Sequence, residues 1–186
     1  HALKFVSKKA SFPPLGLLTV ASMLPEDWNK KLIDMNANQL TDDDILWADL
    51  VFISAMSIQS ESADEVIERC VNLKAKIVAG GPLFTSSSEY YNKVNYLILN
   101  EAEITLPLFL KDFREGKPKH IYSSGDWADI TITPLPQWDL VSMNNYTSMN
   151  LQYSRGCPFD CEFCDITVLY GRKPRTKTKD QVIAEL

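Results

Sequence analysis

Three of the four cysteines fall in one short run, Cys157-Pro-Phe-Asp-Cys161-Glu-Phe-Cys164. Thiolates this close on a loop can converge on a single metal centre. A closed tetrahedral zinc site takes four ligands and the run supplies three. The histidines are His1 and His120, so zinc would need a distant fourth ligand. An iron–sulfur cluster suits the deficiency, because cysteine thiolates are its usual ligands and an iron without a protein ligand can bind a substrate or cofactor. A disulfide with a spare thiol is a further reading, although disulfide frameworks use even sets spread through small secreted chains. Cys70 stands alone and reads as an inert core thiol.

Such a loop needs elements to position it. Residues 149–154 alternate like a strand and lead directly into Arg155, Gly156 and the cysteines. Behind them, Thr178 and Gln181 form a capping box ahead of Val182, Ile183 and Leu186. In front, residues 13–110 alternate helical and strand signals. A helix runs from Pro14 to Pro25, and residues 31–36 read as a short strand. Leu50–Ser54 is an apolar run of strand length, as expected for a central parallel strand covered on both faces. Ser62 and Glu65 predict a capped helix whose apolar stripe is Ala63, Val66, Ile67, Cys70 and Val71. Residues 76–79 form the next strand, closed by Gly80, Gly81 and Pro82; residues 96–99 another; and residues 103–115 a helix with Pro107 in its first turn. Residues 119–122 read as a short strand. This alternation predicts an α/β fold, a Rossmann-like doubly wound parallel sheet.

The stretch 123–147, with Pro134, Pro136, Trp127 and Trp138, reads as a linker that packs. The expected organisation is therefore a domain at 1–122, a linker at 123–147 and a second, incomplete domain at 148–186. Ligands of open parallel sheets sit beyond the C-terminal strand ends, where Asp34, Ser54, Gly80 and Gly81 fall on this reading. Each also has a plainer reading: a loop cap, a strand-end amide, an ordinary turn. Glu101 and Glu103 can equally serve to charge a helix N-terminus.

Composition sets the outer bounds. The chain has 186 residues, 45% apolar and 23% charged, and 19 basic against 24 acidic side chains leave a net charge of −5. That balance is globular, sized for one full core, and argues against generic nucleic-acid binding. The basic segment 172–179, with Arg172, Lys173 and Arg175, reads as a solvated loop. No apolar run approaches the roughly 20 residues of a membrane span and no signal core is visible, so a cytoplasmic protein without a transmembrane segment is expected. The chain opens on His1 and stops at Leu186 inside an apolar-periodic stretch, as a fragment cut at both ends would.

With Ser154-Arg155-Gly156-Cys157-Pro158 ahead of it and Phe163 before the last cysteine, the cysteine run resembles that of the radical S-adenosylmethionine (SAM) enzymes. The resemblance implies a 4Fe-4S cluster held by Cys157, Cys161 and Cys164, with SAM bound at the open iron and Phe163 near its adenine. One electron, from a donor such as flavodoxin or ferredoxin, would cleave SAM to a 5′-deoxyadenosyl radical. It also implies that residues 148–186 begin a (β/α) barrel whose remainder lies beyond this chain, so the fragment alone would not turn over.

The α/β unit in front resembles the cobalamin-binding (B12-binding) domain carried by one class of these enzymes. The residues that carry the likeness are Pro13-Pro14-Leu15-Gly16-Leu17, Ile33-Asp34-Met35-Asn36, Leu50–Ser54, Val78-Ala79-Gly80-Gly81-Pro82 and Asn100-Glu101-Ala102-Glu103. The likeness implies cobalamin contacts at Asp34, Asn36, Ser54, Gly80, Gly81 and Glu101. Two positions depart from the class. Its motif places a lower-face histidine where Asn36 stands between Asp34 and Gln39, and a glycine where Asn100 stands. Either cobalamin binds here without a protein ligand to cobalt, or the domain keeps the fold without the cofactor. The activity implied is methyl transfer to an unactivated carbon of a small molecule: a lipid such as a hopanoid, a natural product or a tetrapyrrole. Alternatives are an oxidative cyclase of the Mg-protoporphyrin monomethyl ester type and a non-catalytic metal- or cobalamin-binding module. No catalytic side chain is assigned, because substrate-recognising residues would lie beyond Leu186.

Overall fold

The computed structural model describes residues 8–159 and 161–186. They form two compact units, each assembled from separate stretches of chain. One takes Thr41–Ile130 and Arg155–Arg175; the other takes the residues up to Leu40, Thr131–Ser154 and Thr176–Leu186. In chain order the helices are α1 (Leu15–Met23), α2 (Asp42–Trp47), α3 (Ser60–Asn72), α4 (Pro82–Ser86), α5 (Ala102–Arg114), α6 (Ile166–Tyr170) and α7 (Lys179–Glu185). The strands are β1 (Leu50–Ser54), β2 (Lys76–Gly80), β3 (Tyr96–Ile98), β4 (Ile121–Tyr122), β5 (Ser154–Arg155) and β6 (Arg175–Thr176). No helix among the described residues is long and apolar enough to cross a membrane.

In the first unit, β1 to β4 pair in parallel and in chain order, the Rossmann-like α/β arrangement that alternating strands and helices predict. Parallel strands are covered on both faces and so read as continuous apolar runs. Ile77, Val78, Ala79 and Leu97 are accordingly almost wholly buried, whereas β1, expected at the centre, stands at the edge of the sheet among the described residues and is only half-buried. Helix α3 lays Ala63, Val66, Ile67 and Cys70 into the core, and burial pushes the Cys70 thiol up from its ordinary pKa. Helix α5 adds Phe109, whose ring meets Tyr96 at 5.2 Å, Phe113 at 5.4 Å and Tyr122 at 5.6 Å. The α2 helix has no counterpart in the sequence reading. Its signal was Thr41 followed three residues on by Asp44, which form a capping box.

Several expectations are corrected. Helix α3 begins at Ser60 and is entered from the 3-10 turn Ser57–Gln59, so Ser62 lies inside it rather than capping it. Gln59 closes that entry by accepting the Met56 N–H at 2.9 Å. Helix α5 begins at Ala102, which puts Pro107 in its second turn. The strand expected over residues 31–36 is replaced by a turn. There the Asp34 carboxylate takes the Asn36 N–H at 3.0 Å, an amide that a ladder would otherwise use. Of residues 149–154 only Ser154 is in a strand, because β5 pairs over two residues with β6. Alternation marks a face but cannot supply a neighbouring strand.

The second unit packs the proline-rich stretch against α1. Gln137 donates its N–H to the Leu18 carbonyl at 3.0 Å, and the Ser22 hydroxyl donates to the Leu135 carbonyl at 2.5 Å. Ala10, Ala37 and Tyr146 form a small core that Val141 covers. The Thr178–Gln181 capping box opens α7 as the sequence predicts. Lys177 and Glu185 form a buried ion pair beside it.

Candidate cofactor-binding site

In the sheet-bearing unit the register lines up the carboxyl ends of the strands: Ser54 opposite Gly80, Gly80 opposite Ile98, Ile98 opposite Tyr122. Gly81 follows at φ +92°, and a Cβ there would stand 2.6 Å from the Ser54 Oγ. A Cβ at Gly80 would stand 2.6 Å from the Ile98 carbonyl oxygen. Both positions therefore need glycine for the close approach of neighbouring backbone and hydroxyl. Ser54 is exposed and both glycines partly so, and Met56 and Ile58 just beyond β1 are 60% and 92% exposed. A shelf of small residues with an apolar rim at the strand ends suits the tail of a large ligand.

Asp34 and Asn36 belong to the second unit. Asp34 is buried; its Oδ1 accepts from the Asn36 N–H at 3.0 Å and from Asn36 Nδ2 at 2.9 Å, and its Oδ2 accepts from the Tyr146 hydroxyl at 2.9 Å. Burial, then the hydrogen bond to Asp34 and its charge, push the Tyr146 pKa up to about 12. Asn36 is exposed. Its amide nitrogen has no lone pair to offer a metal, unlike an imidazole.

The cysteine loop belongs to the sheet-bearing unit. Cys157 and Cys164 are half-buried, Cys161 is exposed, and all three are free thiols. Among the described residues no three His, Cys, Asp or Glu side chains stand together as a metal site. The donor set nevertheless fits a thiolate-held cluster. Cys161, Phe159 and Phe163 are exposed, so their own packing does not oppose gathering the thiols. Phe163 is 91% exposed, available to stack on a ligand ring. The ends of the loop are pinned. The Cys157 N–H donates to the Gly171 carbonyl at 3.1 Å. Gly171 at φ +76° lies where a Cβ would be 2.8 Å from the Trp127 ring, and a Cβ at Gly156, φ +86°, would run into the Lys173 carbonyl.

Glu101 is placed differently from a ligand contact. Its side chain is wholly buried, and both oxygens accept hydrogen bonds within the protein. Oε1 takes Arg155 Nη1 at 2.9 Å and Arg175 Nη1 at 3.0 Å; Oε2 takes Arg175 Nη1 at 2.8 Å and the Ala128 N–H at 2.8 Å. Glu103 completes the group, accepting from Arg155 Nη2 at 2.7 Å and Nη1 at 3.0 Å. Burial alone would lower the Arg155 pKa, but the Glu103 and Glu101 carboxylates reverse this and hold it above the ordinary arginine value. The reading of the basic segment as solvated is thus corrected at Arg175 and Lys177, which are covered and ion-paired. Their carboxylate partners were in plain sight, but no local spacing links Glu101 to a residue so far along the chain.

Comparison with known proteins follows the same lines. The B12 binding domain family matches residues 6–110. The chain is 46% identical over 189 residues to an uncharacterized methyltransferase of Synechocystis sp., covering 99% of this chain and 35% of that protein. It is 37% identical over 191 residues to the hopanoid C-2 methylase of Rhodopseudomonas palustris, covering 100% of this chain and 36% of that protein. Bacteriochlorophyllide d C-12(1)-methyltransferase of Chlorobaculum tepidum is 22% identical over 180 residues, covering 93% of this chain and 39% of that protein. The chain thus spans a little over a third of the length of these relatives.

Proposed function

We propose that this chain, which belongs to the B12-binding domain family, is the cofactor-binding front of a cobalamin-class radical SAM methylase. The observation that carries the reading is that three free thiols, at the spacing of the radical SAM loop, share one compact unit with the B12-type parallel sheet. Relatives named as methylases and methyltransferases support a methyl-transfer enzyme.

In this reading Cys157, Cys161 and Cys164 hold a 4Fe-4S cluster and Phe163 lies against the adenine of SAM. The cluster supplies, when bound, the electron that cleaves the sulfonium, and cobalamin supplies the methyl carrier. The residues of this chain orient those groups. Gly80 and Gly81 keep the backbone bare at the strand ends, and Ser54 offers a hydroxyl beside them. Asp34 holds the turn that presents Asn36, and Glu101 fixes the start of α5. With Asn36 where the class has a histidine, that turn would offer cobalamin no imidazole nitrogen. The substrate class is a small apolar or tetrapyrrole molecule, as in the names of the relatives, and the whole protein would work in a reducing cytoplasm with a flavodoxin- or ferredoxin-type donor.

The test is to produce the whole protein anaerobically with cobalamin supplied and to measure cobalt, iron and sulfide together with SAM cleavage. About one cobalt and about four irons per chain, with SAM cleaved, is the expected result. Iron without cobalt removes methyl transfer through cobalt, and zinc without SAM cleavage removes the radical enzyme altogether.

A further inference from the structure

Two buried carboxylates at the carboxyl end of β3 are committed to the cysteine loop rather than to a ligand. Arg155 immediately precedes Gly156 and Cys157, and Arg175 closes the same stretch. A single oxygen, Glu101 Oε1, accepts from both arginines, at 2.9 and 3.0 Å. The Arg155 fork spreads over two carboxylates, Nη1 to Glu101 and to Glu103, Nη2 to Glu103. Lysine, a single point charge, cannot reproduce that geometry. The charges cancel two against two, as buried ions require. Aromatic rings back the guanidinium groups: Tyr170 lies 5.8 Å from Arg155 and Trp127 lies 5.6 Å from Arg175.

Glu101 is itself rigidly placed. Asn100 before it adopts φ +63°, donating its N–H to Thr85 Oγ1 at 3.0 Å and accepting the Ser124 N–H on its side-chain oxygen at 3.3 Å. Thr105 then ties the turn back, its hydroxyl donating to the Leu99 carbonyl at 3.1 Å. The position of both ends of the loop is therefore set by the end of a core strand.

We infer that Glu101 and Glu103 are positioning residues for the metal-binding loop: they clamp Arg155 and Arg175, and so fix where residues 156–174 carry the three thiols on the sheet unit. The cluster half of this inference rests on the reading above that the thiols hold iron and sulfide; the clamp itself does not.

The experiment compares the whole protein with its Glu101→Gln, Glu103→Gln and Glu103→Asp variants, using circular dichroism to show that each is folded. If Glu101→Gln does not fold, Glu103→Gln, which leaves Arg175 paired, carries the comparison. In cluster-free protein, trypsin cleavage after Arg172 is expected to be roughly tenfold faster in the glutamine variants, because the freed loop opens more often. Cleavage at the wild-type rate would overturn the clamp. In anaerobically reconstituted protein, iron loss to a chelator is expected to be roughly tenfold faster, with an altered electron paramagnetic resonance line shape of the reduced cluster. Glu103→Asp should return both toward wild type. Faster cleavage with unchanged iron retention and line shape would make the group a structural ion pair and overturn the positioning role. Wild-type protein that takes up no iron would instead remove the cluster reading, with trypsin still deciding the clamp.

Discussion

Tyr146 donates its hydroxyl to Asp34 across 2.9 Å, joining residues 112 positions apart inside one compact unit. The contact has a pH signature. With the phenol pKa pushed up to about 12 against about 10 in an unfolded chain, the stabilisation is fully present below about pH 10. It is lost as pH rises through 12, and amounts to about 2–3 kcal/mol. Tyr146→Phe should cost about 1–3 kcal/mol at pH 7 by leaving Asp34 short of a donor, and should flatten the alkaline decline. Urea unfolding at pH 7 and pH 11 checks both; an equal alkaline decline in the variant would point to other groups.

The Ser54–Gly81 approach predicts a coupled pair. Gly81→Ala should destabilise by about 1–3 kcal/mol, from the positive φ and from the clash with Ser54 Oγ. Adding Ser54→Ala should recover the steric part and leave about 1–2 kcal/mol of backbone strain from the positive φ with extended ψ. A double-mutant cycle by denaturant unfolding measures the coupling, and strict additivity would mean that the two residues do not touch.

Thiol labelling should sort the cysteines by exposure. Cys161 should react with iodoacetamide in the native protein, while Cys70, fully buried and with its pKa raised by burial, should react only on unfolding. Peptide mass mapping over time reads the order. Prompt native labelling of Cys70 would contradict its place in the α3 core.

Phe163 separates stability from binding. As it is 91% exposed, Phe163→Ala should change unfolding free energy by less than about 0.5 kcal/mol, yet weaken SAM binding to the reconstituted whole protein about tenfold through the lost stacking. Unchanged SAM affinity by calorimetry would leave this ring without a role at the adenine.

Asn36 predicts the state of cobalt. Cobalamin reduced to cobalt(II) in the whole protein should show no nitrogen splitting from a protein ligand in its electron paramagnetic resonance spectrum, and Asn36→His should introduce one. A nitrogen splitting in the wild type that changes when the protein, and not the cobalamin, carries 15N would mean that a residue elsewhere reaches the metal.

The parallel sheet was legible because strands such as Lys76–Gly80, buried along its middle, announce themselves as unbroken apolar runs between helical periods. The left-handed turn at Asn100 has a local reason, since asparagine tolerates positive φ better than most residues. Local signals failed where a side chain changed the backbone's employment. Asp34 took the amide that a strand would have used, and Gln59 capped a turn that moved the start of α3 two residues ahead of Ser62. The cysteine run stands out in the sequence by its spacing alone. Glu101 and Arg175 do not, since they lie 74 positions apart and become partners only through the fold. Arg175 looks solvated in the sequence because its carboxylate partner is remote.

That remoteness dictates an order of events at the ribosome. Glu101 leaves it 54 residues before Arg155 and 74 before Arg175, at about 5–20 residues per second. While the sheet from Leu50 to Tyr122 is already complete, its two carboxylates stay hydrated, because dehydrating them unpaired is too costly. On the proposed reading that the thiols hold iron, a nascent chain would offer it a loop with one end still untied, and cluster loading would follow the emergence and docking of Arg175.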